Sequence, residues 1–454
     1  MSISNESFLI KDSLHADDLK TKIYPYRQQE KIRNDWLKIR FTEILPKIMK
    51  RSGIDLWVVC CKEYNEDPIL TTLVPCAMMT ARRTTILVFN RLGDGTIRKM
   101  ALTRPGVGLD EFYEAVWTNP KGANWDDGKS LLPDGKTVEK VNGPETQFAC
   151  LARIIKECNP NKIGLDISKT FAFADGLTKT LYDEMVNEFD DDMKAKIVSA
   201  QDICIGWLET RTKEEMAAYT GIMQIAHSII DEAFSSRVVI PGVTTNADVK
   251  YFMLQKTFDL GLQPWFDFET SIRRQDIGEL YDENVIMPGD ILHCDVGIRY
   301  LNLCTDTQEN AYVLKLDETD APADLKHALK VVNRLQDITI SCFAEGKSGN
   351  EVLSQARQQA LSEGIIPCIY THPIGYHGHG AGPTIGLWDM QNGVVGQGDY
   401  HLYNDTMYSL ELNVKVDIPT WKTTLTFGAE TDILFTNDKV HYVAGRQETF
   451  HLIK

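Results

Sequence analysis

The chain has 454 residues, a formal net charge of -16 and a pI near 5.1. Such a surface repels phosphate backbones and anionic lipid, so nucleic acid is excluded as an expected partner. Its composition, 43% hydrophobic and 25% charged, is that of a globular protein rather than a disordered or fibrous one.

The length exceeds what one core ordinarily fills and predicts two domains. No apolar run approaches the ~18 residues of a membrane span. Ten scattered cysteines form no CxxC pair, which argues against a zinc ribbon or thioredoxin motif. The opening MSISNESFLIKDSLH lacks a charged n-region and an apolar h-region. A reduced, cytoplasmic protein without membrane attachment is expected.

In chain order, residues 27–51 are charged and helix-prone, with an interruption at Pro46. DLWVVCC (55–61) and TTILVF (84–89) read as strands, the segment from Gly106 to Gly143 as loop, 145–157 as helix, KIGLD (162–166) as strand and 176–189 as helix. This alternation predicts an α/β domain over 1–208. A capping box at Thr212 and Glu215 opens the second domain, 209–454. The apolar positions Met216, Tyr219, Met223, Ala226, Ile230 and Phe234 mark one buried helix face. Further helices are expected over 246–260, ending at Gly261, over 323–343, and from the capping box Ser348–Glu351 to Gly364. Strands are expected at 290–298, 309–315, 407–418, 422–428 and 431–435.

Four segments of this second half carry chemistry. In MPGDILHCDVGIRYLNLCTDTQEN (287–310), Asp295 lies inside an apolar strand and Asp306 follows eleven residues later. A carboxylate in a strand is costly unless it is paired or bound to a cation; taken alone, each Asp reads as a turn cap. THPIGYHGHGAGPTIGLWD (371–389) sets His372, His377 and His379 among glycines, and imidazole is the commonest metal ligand. The glycine spacing is not that of a dinucleotide fingerprint. Glu411 alternates with Leu410 and Leu412, and Glu430 and Asp432 precede ILF (433–435). Separately each could be a solvent-facing strand residue. Together they supply four carboxylates and an imidazole, an oxygen-rich set suited to a pair of divalent cations.

On Asp295-x-Gly297 with Asp306, Gly378-His379-x-x-Gly382, and Glu411 with Glu430-x-Asp432, the chain resembles the creatinase/aminopeptidase P/methionine aminopeptidase group, the M24 metallopeptidase family with the pita-bread fold. GIDLWVV and RRTTILVF resemble the creatinase-type N-terminal domain of its two-domain members, aminopeptidase P and prolidase. The resemblance implies an α/β (α+β) chain whose C-terminal domain has a curved, mostly antiparallel sheet covered by helices. It implies a dinuclear site: Asp295 on one metal, His379 and Glu411 on the other, Asp306 and Glu430 bridging. His377 is the alternative ligand, with His379 then behind it.

The metals so implied are manganese first, with zinc, cobalt or iron as alternatives. A hydroxide bridging the metals attacks the peptide carbonyl and Glu411 relays its proton. His372 and His377 are candidate catalytic groups. His293, two residues before Asp295 on the same strand face, and Trp388 are candidate substrate contacts. The implied activity is that of an Xaa-Pro aminopeptidase or dipeptidase acting on short peptides, as a homodimer. Alternatives are hydrolysis of a non-peptide C–N bond in a small metabolite, and a non-catalytic binding module of the same fold.

Four positions depart from the family pattern. GELYDEN (278–284) lacks the upstream His, Trp388-Asp389 stands where HD or HE is usual, Gly428 stands where Arg precedes the last Glu, and Thr307-Gln308-Glu309 matches only in part the T-R-T that follows the second Asp.

Overall fold

The computed structural model describes residues 19–103, 108–117, 145–281 and 283–454. MSISNESFLIKDSLH and most of the expected loop from Gly106 to Gly143 lie outside them. The chain divides into two compact units, Arg27–Leu208 and Glu209–Lys454, the latter joined by the stretch up to Tyr26.

In the first unit, α1 (Tyr26–Ile39) passes through a π-turn into α2 (Leu45–Ser52). Pro46 does not end the helix: it comes just after the π-turn, the kind of local irregularity at which a helix accommodates a proline. Six strands follow: β1 (Leu56–Lys62), β2 (Thr84–Arg91), β3 (Ile97–Leu102), β4 (Glu114–Ala115), β5 (Ile163–Leu165) and β6 (Ile197–Ser199). They form one mixed sheet in the order β4-β3-β2-β1-β5-β6. LWVVCC is buried throughout because both faces of β1 are covered. Leu56, Val58 and Cys60 share a core with Leu151, Ile154 and Ile155 of α3 (Gln147–Cys158) and with Leu181 and Met185 of α4 (Lys179–Asn187). On the other face Trp57 stacks on Phe89, and Phe41 on Trp207 of α5 (Gln201–Glu209).

The second unit opens with α6 (Lys213–Ala233), whose Thr212–Glu215 capping box forms as expected. α7 (Asn246–Asp259) is capped by Thr245 and Asp248 and is followed by Gly261 at φ +75°. After β7 (Gln263–Pro264), β8 (Glu269–Arg274) and β9 (Gly278–Leu280) come β10 (Ile291–Val296), β11 (Ile298–Tyr300), β12 (Leu303–Cys304) and β13 (Thr307–Val313). The helices α8 (Ala323–Ser341) and α9 (Gly349–Ser362) precede β14 (Ile366–Ile369) and β15 (His372–Pro373). The last strands are β16 (Thr406–Ser409), β17 (Leu412–Ile418), β18 (Thr423–Ala429), β19 (Asp432–Thr436), β20 (Lys439–Tyr442) and β21 (His451–Ile453).

These strands make sheets of order β21-β13-β10-β8-β9, β12-β11-β7, β14-β17-β18 and β15-β16-β19-β20. Among the described residues of this unit their pairs are antiparallel except β13–β21. Leu325, Leu329, Val332 and Leu335 of α8 pack with Val352 and Ala356 of α9 over Leu412, Val414 and Phe427.

Two differences from the sequence expectation position the site. The strand expected at 407–418 is two strands in two sheets, and the chain crosses between them at Leu410–Glu411. The antiparallel segment paired with it crosses back between β18 and β19 at Glu430–Thr431. The register continues through the crossing, with Leu412 opposite Ala429 and Ser409 opposite Asp432, so Glu411 and Glu430 are cross-strand neighbours. Like charges directly opposite are destabilising in a sheet. Leu410 and Leu412, both fully buried, supply the apolar anchors on either side.

Candidate metal centre

Asp295 and His293 are alternate residues of β10 and point to one face. Opposite them on β13 stand Gln308 and Asn310. Asp306 precedes β13, and its backbone N–H donates to Asp432 Oδ2 at 3.4 Å. Glu430 is held at both ends: its carbonyl accepts from Gln308 N–H at 3.3 Å and Thr307 Oγ1 at 3.1 Å, and its Oε1 accepts from Ser409 Oγ at 2.6 Å. The Glu411 carbonyl accepts from Tyr370 N–H at 3.2 Å and Thr371 Oγ1 at 3.1 Å.

The side chains converge in three overlapping groups: Asp295–Asp306–Glu430, His372–Glu411–Glu430 and Asp306–His372–His379. Within each, one donor atom per residue lies within 4.8 Å of the others. All five residues of the resemblance are therefore in one cluster, and His372 joins them. The imidazole that faces both glutamates is that of His372: its Nε2 lies 3.7 Å from Asp306 Oδ2, 3.9 Å from Glu411 Oε2 and 3.7 Å from Glu430 Oε1. Its Nδ1 lies 3.1 Å from the Pro373 carbonyl. A proton on Nδ1 leaves a lone pair on Nε2, the form in which imidazole binds metals. His372 is buried, whereas His379, edge-on to it with ring centroids 4.8 Å apart, is exposed.

The other expected residues take different places. His377 belongs to none of these groups; burial, then the charges of Arg299 and Arg211, hold its pKa down near 4. His293 Nδ1 lies 3.1 Å from Asn310 Oδ1, and burial pushes its pKa down to about 3. Trp388 stands 75% exposed in the turn closed by Leu387 and Met390.

Two residues receive no role from the sequence, where Gln308 reads only as a departure from the family pattern. Gln308 Nε2 donates to Glu411 Oε1 at 2.6 Å and to Asp295 Oδ2 at 3.3 Å, so one amide spans carboxylates from two sheets. Gly428 makes room for it, since a Cβ there would lie 3.1 Å from Gln308 Oε1. Trp265 donates its indole N–H to the Thr305 carbonyl at 2.8 Å and lies edge-on to His379. The motif glycines make room for this ring: a Cβ on Gly297 would lie 2.0 Å from Trp265 Nε1, and one on Gly378 2.2 Å from the indole. Phe266 packs beside Trp265 and both are half-buried. The strand-ending DxG and the GHxxG loop were the available signals for such an insertion.

Electrostatics show what the cluster needs. Burial, then the Glu430 charge, push the carboxyls of Asp295, Asp306 and Glu411 well above the usual carboxylate range. Burial raises Glu430 to about 7 and lowers His372 to about 4. Asp295 Oδ1, Asp306 Oδ1, Glu430 Oε2 and His372 Nε2 are buried without a hydrogen-bond partner. Buried polar atoms are ordinarily satisfied. Four acids and a neutral imidazole with unpaired atoms aimed inward fit divalent cations, whose charge inverts this pKa logic. The residues that would hold them are Asp295, Asp306, His372, Glu411 and Glu430.

With the geometry established, comparison places the fold in a family. Residues 221–430 match the model of metallopeptidase family M24. Among curated proteins none matches the chain. Among solved structures, an X-Pro aminopeptidase from Thermotoga maritima superposes with a TM-score of 0.60 at 15% identity, covering 89% of this chain and 99% of its own. An Xaa-Pro dipeptidase from Bacillus anthracis gives 0.56 at 17%, covering 92% and 99%. A dipeptidase from Mycobacterium ulcerans gives 0.56 at 16%, covering 92% and 98%. At these identities the likeness is one of fold: a mixed α/β chain with the pita-bread architecture. Among the described residues no helix is long and apolar enough to cross a membrane.

Proposed function

We propose that the chain is a two-metal exopeptidase that cleaves short peptides of the Xaa-Pro type. One observation carries this reading: His372 Nε2 faces three carboxylates, two of which, Asp306 and Glu430, also face Asp295. Such a set offers one position near Asp295 and another near His372 and Glu411, with Asp306 and Glu430 common to both. Divalent cations bound there supply water of lowered pKa and polarise the scissile carbonyl.

The chain's own groups do the rest. Glu411, tethered by Gln308, takes up the water proton and passes it to the leaving nitrogen. The exposed His379 offers a donor to the substrate carbonyl, and the Trp265–Phe266 wall beside it offers apolar surface for a side chain or prolyl ring. His293 and Asn310 line the same sheet face beyond Asp295. Four carboxylates favour a hard ion, manganese first, with zinc, cobalt or iron as alternatives. Ten free cysteines accord with a reducing cytoplasmic setting, and a homodimer is the proposed assembly. The proposed domain division is 1–208 and 209–454.

Gly428 and Gln308 favour a second reading, hydrolysis of a C–N bond in a non-peptide metabolite, because they reshape the pocket beside intact acids. Manganese-loaded protein should cleave Xaa-Pro dipeptides or tripeptides from a peptide library. Bound metal without cleavage of any library member would move the assignment to the second reading. Absence of bound metal would contradict both and favour a binding module.

A further inference from the structure

A separate group of metal-ligating side chains lies behind the catalytic sheet. Alternation along β13 sends Gln308 and Asn310 toward the acidic cluster and Glu309 to the opposite face, where α6 packs. There Glu309 meets His451, the first residue of β21, which pairs with β13 through Ala311. His227 and Asp231 are one turn apart on α6 and so project side by side.

The Nε2 atoms of two imidazoles converge on one carboxylate. His451 Nε2 is hydrogen-bonded to Glu309 Oε2, and His227 Nε2 lies 3.8 Å from Glu309 Oε1. Behind the ring, His451 Nδ1 lies 3.5 Å from Asp231 Oδ1. Asp231, Glu309 and His451 each offer a donor atom within 4.8 Å of the others. Glu309 is buried, and the His227 and His451 side chains keep 20% and 19% of their surface open, which leaves a route for an ion.

We propose that His227, Glu309 and His451 are the three protein ligands of a divalent transition-metal site, with Asp231 as the carboxylate that orients His451. Two imidazoles and one carboxylate with an open fourth position form a recognised zinc-binding set. A carboxylate on the far nitrogen of a ligating His fixes its tautomer. Binding displaces the proton that His451 shares with Glu309 and releases it to solvent. The bound ion ties α6, β13 and β21 together, so it fastens the C-terminal strand. The site is independent of the peptidase reading, because it lies on the other face of the sheet and shares none of its residues.

The test uses the full chain, with zinc alone as the probe. After equilibrium dialysis, mass-spectrometric metal analysis should find about one more zinc equivalent in wild type than in His227→Ala or Glu309→Gln. The manganese content of the two variants should be unchanged. Zinc should also raise the wild-type melting temperature more than that of either variant. A measurement on wild type alone guards against variants that fail to fold: zinc added beyond the equivalents that fill the acidic cluster should shift two histidine imidazole nitrogen resonances. Equal zinc content in all three proteins, or unmoved resonances, would leave only an ion pair and overturn the proposal.

Discussion

Each unit of this chain buries a set of carboxylates, and the two sets are built differently. In the N-terminal unit Asp67 and Asp166 are both 1% exposed. Asp166 Oδ1 accepts from the Trp57 indole at 2.6 Å and the Cys204 thiol at 3.1 Å, and Asp67 Oδ1 accepts from the Ile69 N–H at 3.0 Å. The remaining oxygens, Asp67 Oδ2 and Asp166 Oδ2, have no other partner, so a proton carried by one side chain is free to serve both; burial raises Asp67 to about 6, and burial with the Asp67 charge raises Asp166 well above the usual carboxylate range. In the C-terminal unit three carboxylates face an imidazole whose Nε2 has no partner, the fourth, Asp295, faces two of those three, and three of the four keep an unpaired buried oxygen. A proton satisfies the first arrangement. The second has too many acids for shared protons and already contains a neutral nitrogen donor. The difference teaches that buried carboxylates alone do not indicate a metal centre; a converging lone-pair donor does.

The comparison breaks most visibly at the shared acids. Asp306→Asn or Glu430→Gln should remove bound metal and cut peptidase activity by about 10^3-fold, the rate equivalent of the several kcal/mol such ions supply. Metal analysis alongside kinetics checks it, and either variant keeping full metal content would contradict the shared role.

Substituting the two imidazoles separately sharpens the assignment. His372→Ala should lose metal together with activity. His379→Ala should keep its metal and lose about 10^2-fold in rate, as expected of a group that acts on the substrate. The reverse pattern would exchange their roles.

The protonated pair is tested by pH. Asp67 has a folded pKa above its unfolded value of about 3.9, so the folded unit holds the extra proton. Its contribution is present below the unfolded pKa and lost as pH rises through about 6. Stability of the N-terminal unit, followed by Trp57 fluorescence, should fall by about 3 kcal/mol between pH 4 and pH 8. Asp166→Asn, whose amide supplies a permanent donor to Asp67, should flatten that slope. An unchanged slope would remove the shared proton from the account.

The smallest effect concerns Gln308. Its amide holds two cluster carboxylates without being one of them, so Gln308→Ala should weaken metal affinity by about 10- to 100-fold. Calorimetric titration would show it.

Much of this was legible in the sequence, and what was missed has physical reasons. Capping boxes at Thr212 and Ser348 and the buried run of β1 are local signals that packing merely completes. Ligand order and spacing brought out Asp295, Asp306, Glu411 and Glu430. The crossing at Glu411 and Glu430 was hidden because a strand that changes sheets keeps its alternation. The central place of His372 was hidden for a different reason: three histidines within eight residues differ only in how the glycine loop folds back. Trp265 carries no motif and Gln308 stands out only as a departure from one, so their roles show only in the space left by Gly297, Gly378 and Gly428.

Manganese titration of chelator-stripped protein tests the central claim most directly. Wild type should bind about two equivalents, with Glu430→Gln losing both or retaining only weak binding. No bound manganese in wild type, or an identical isotherm for the variant, would contradict the assignment of this cluster as the metal centre.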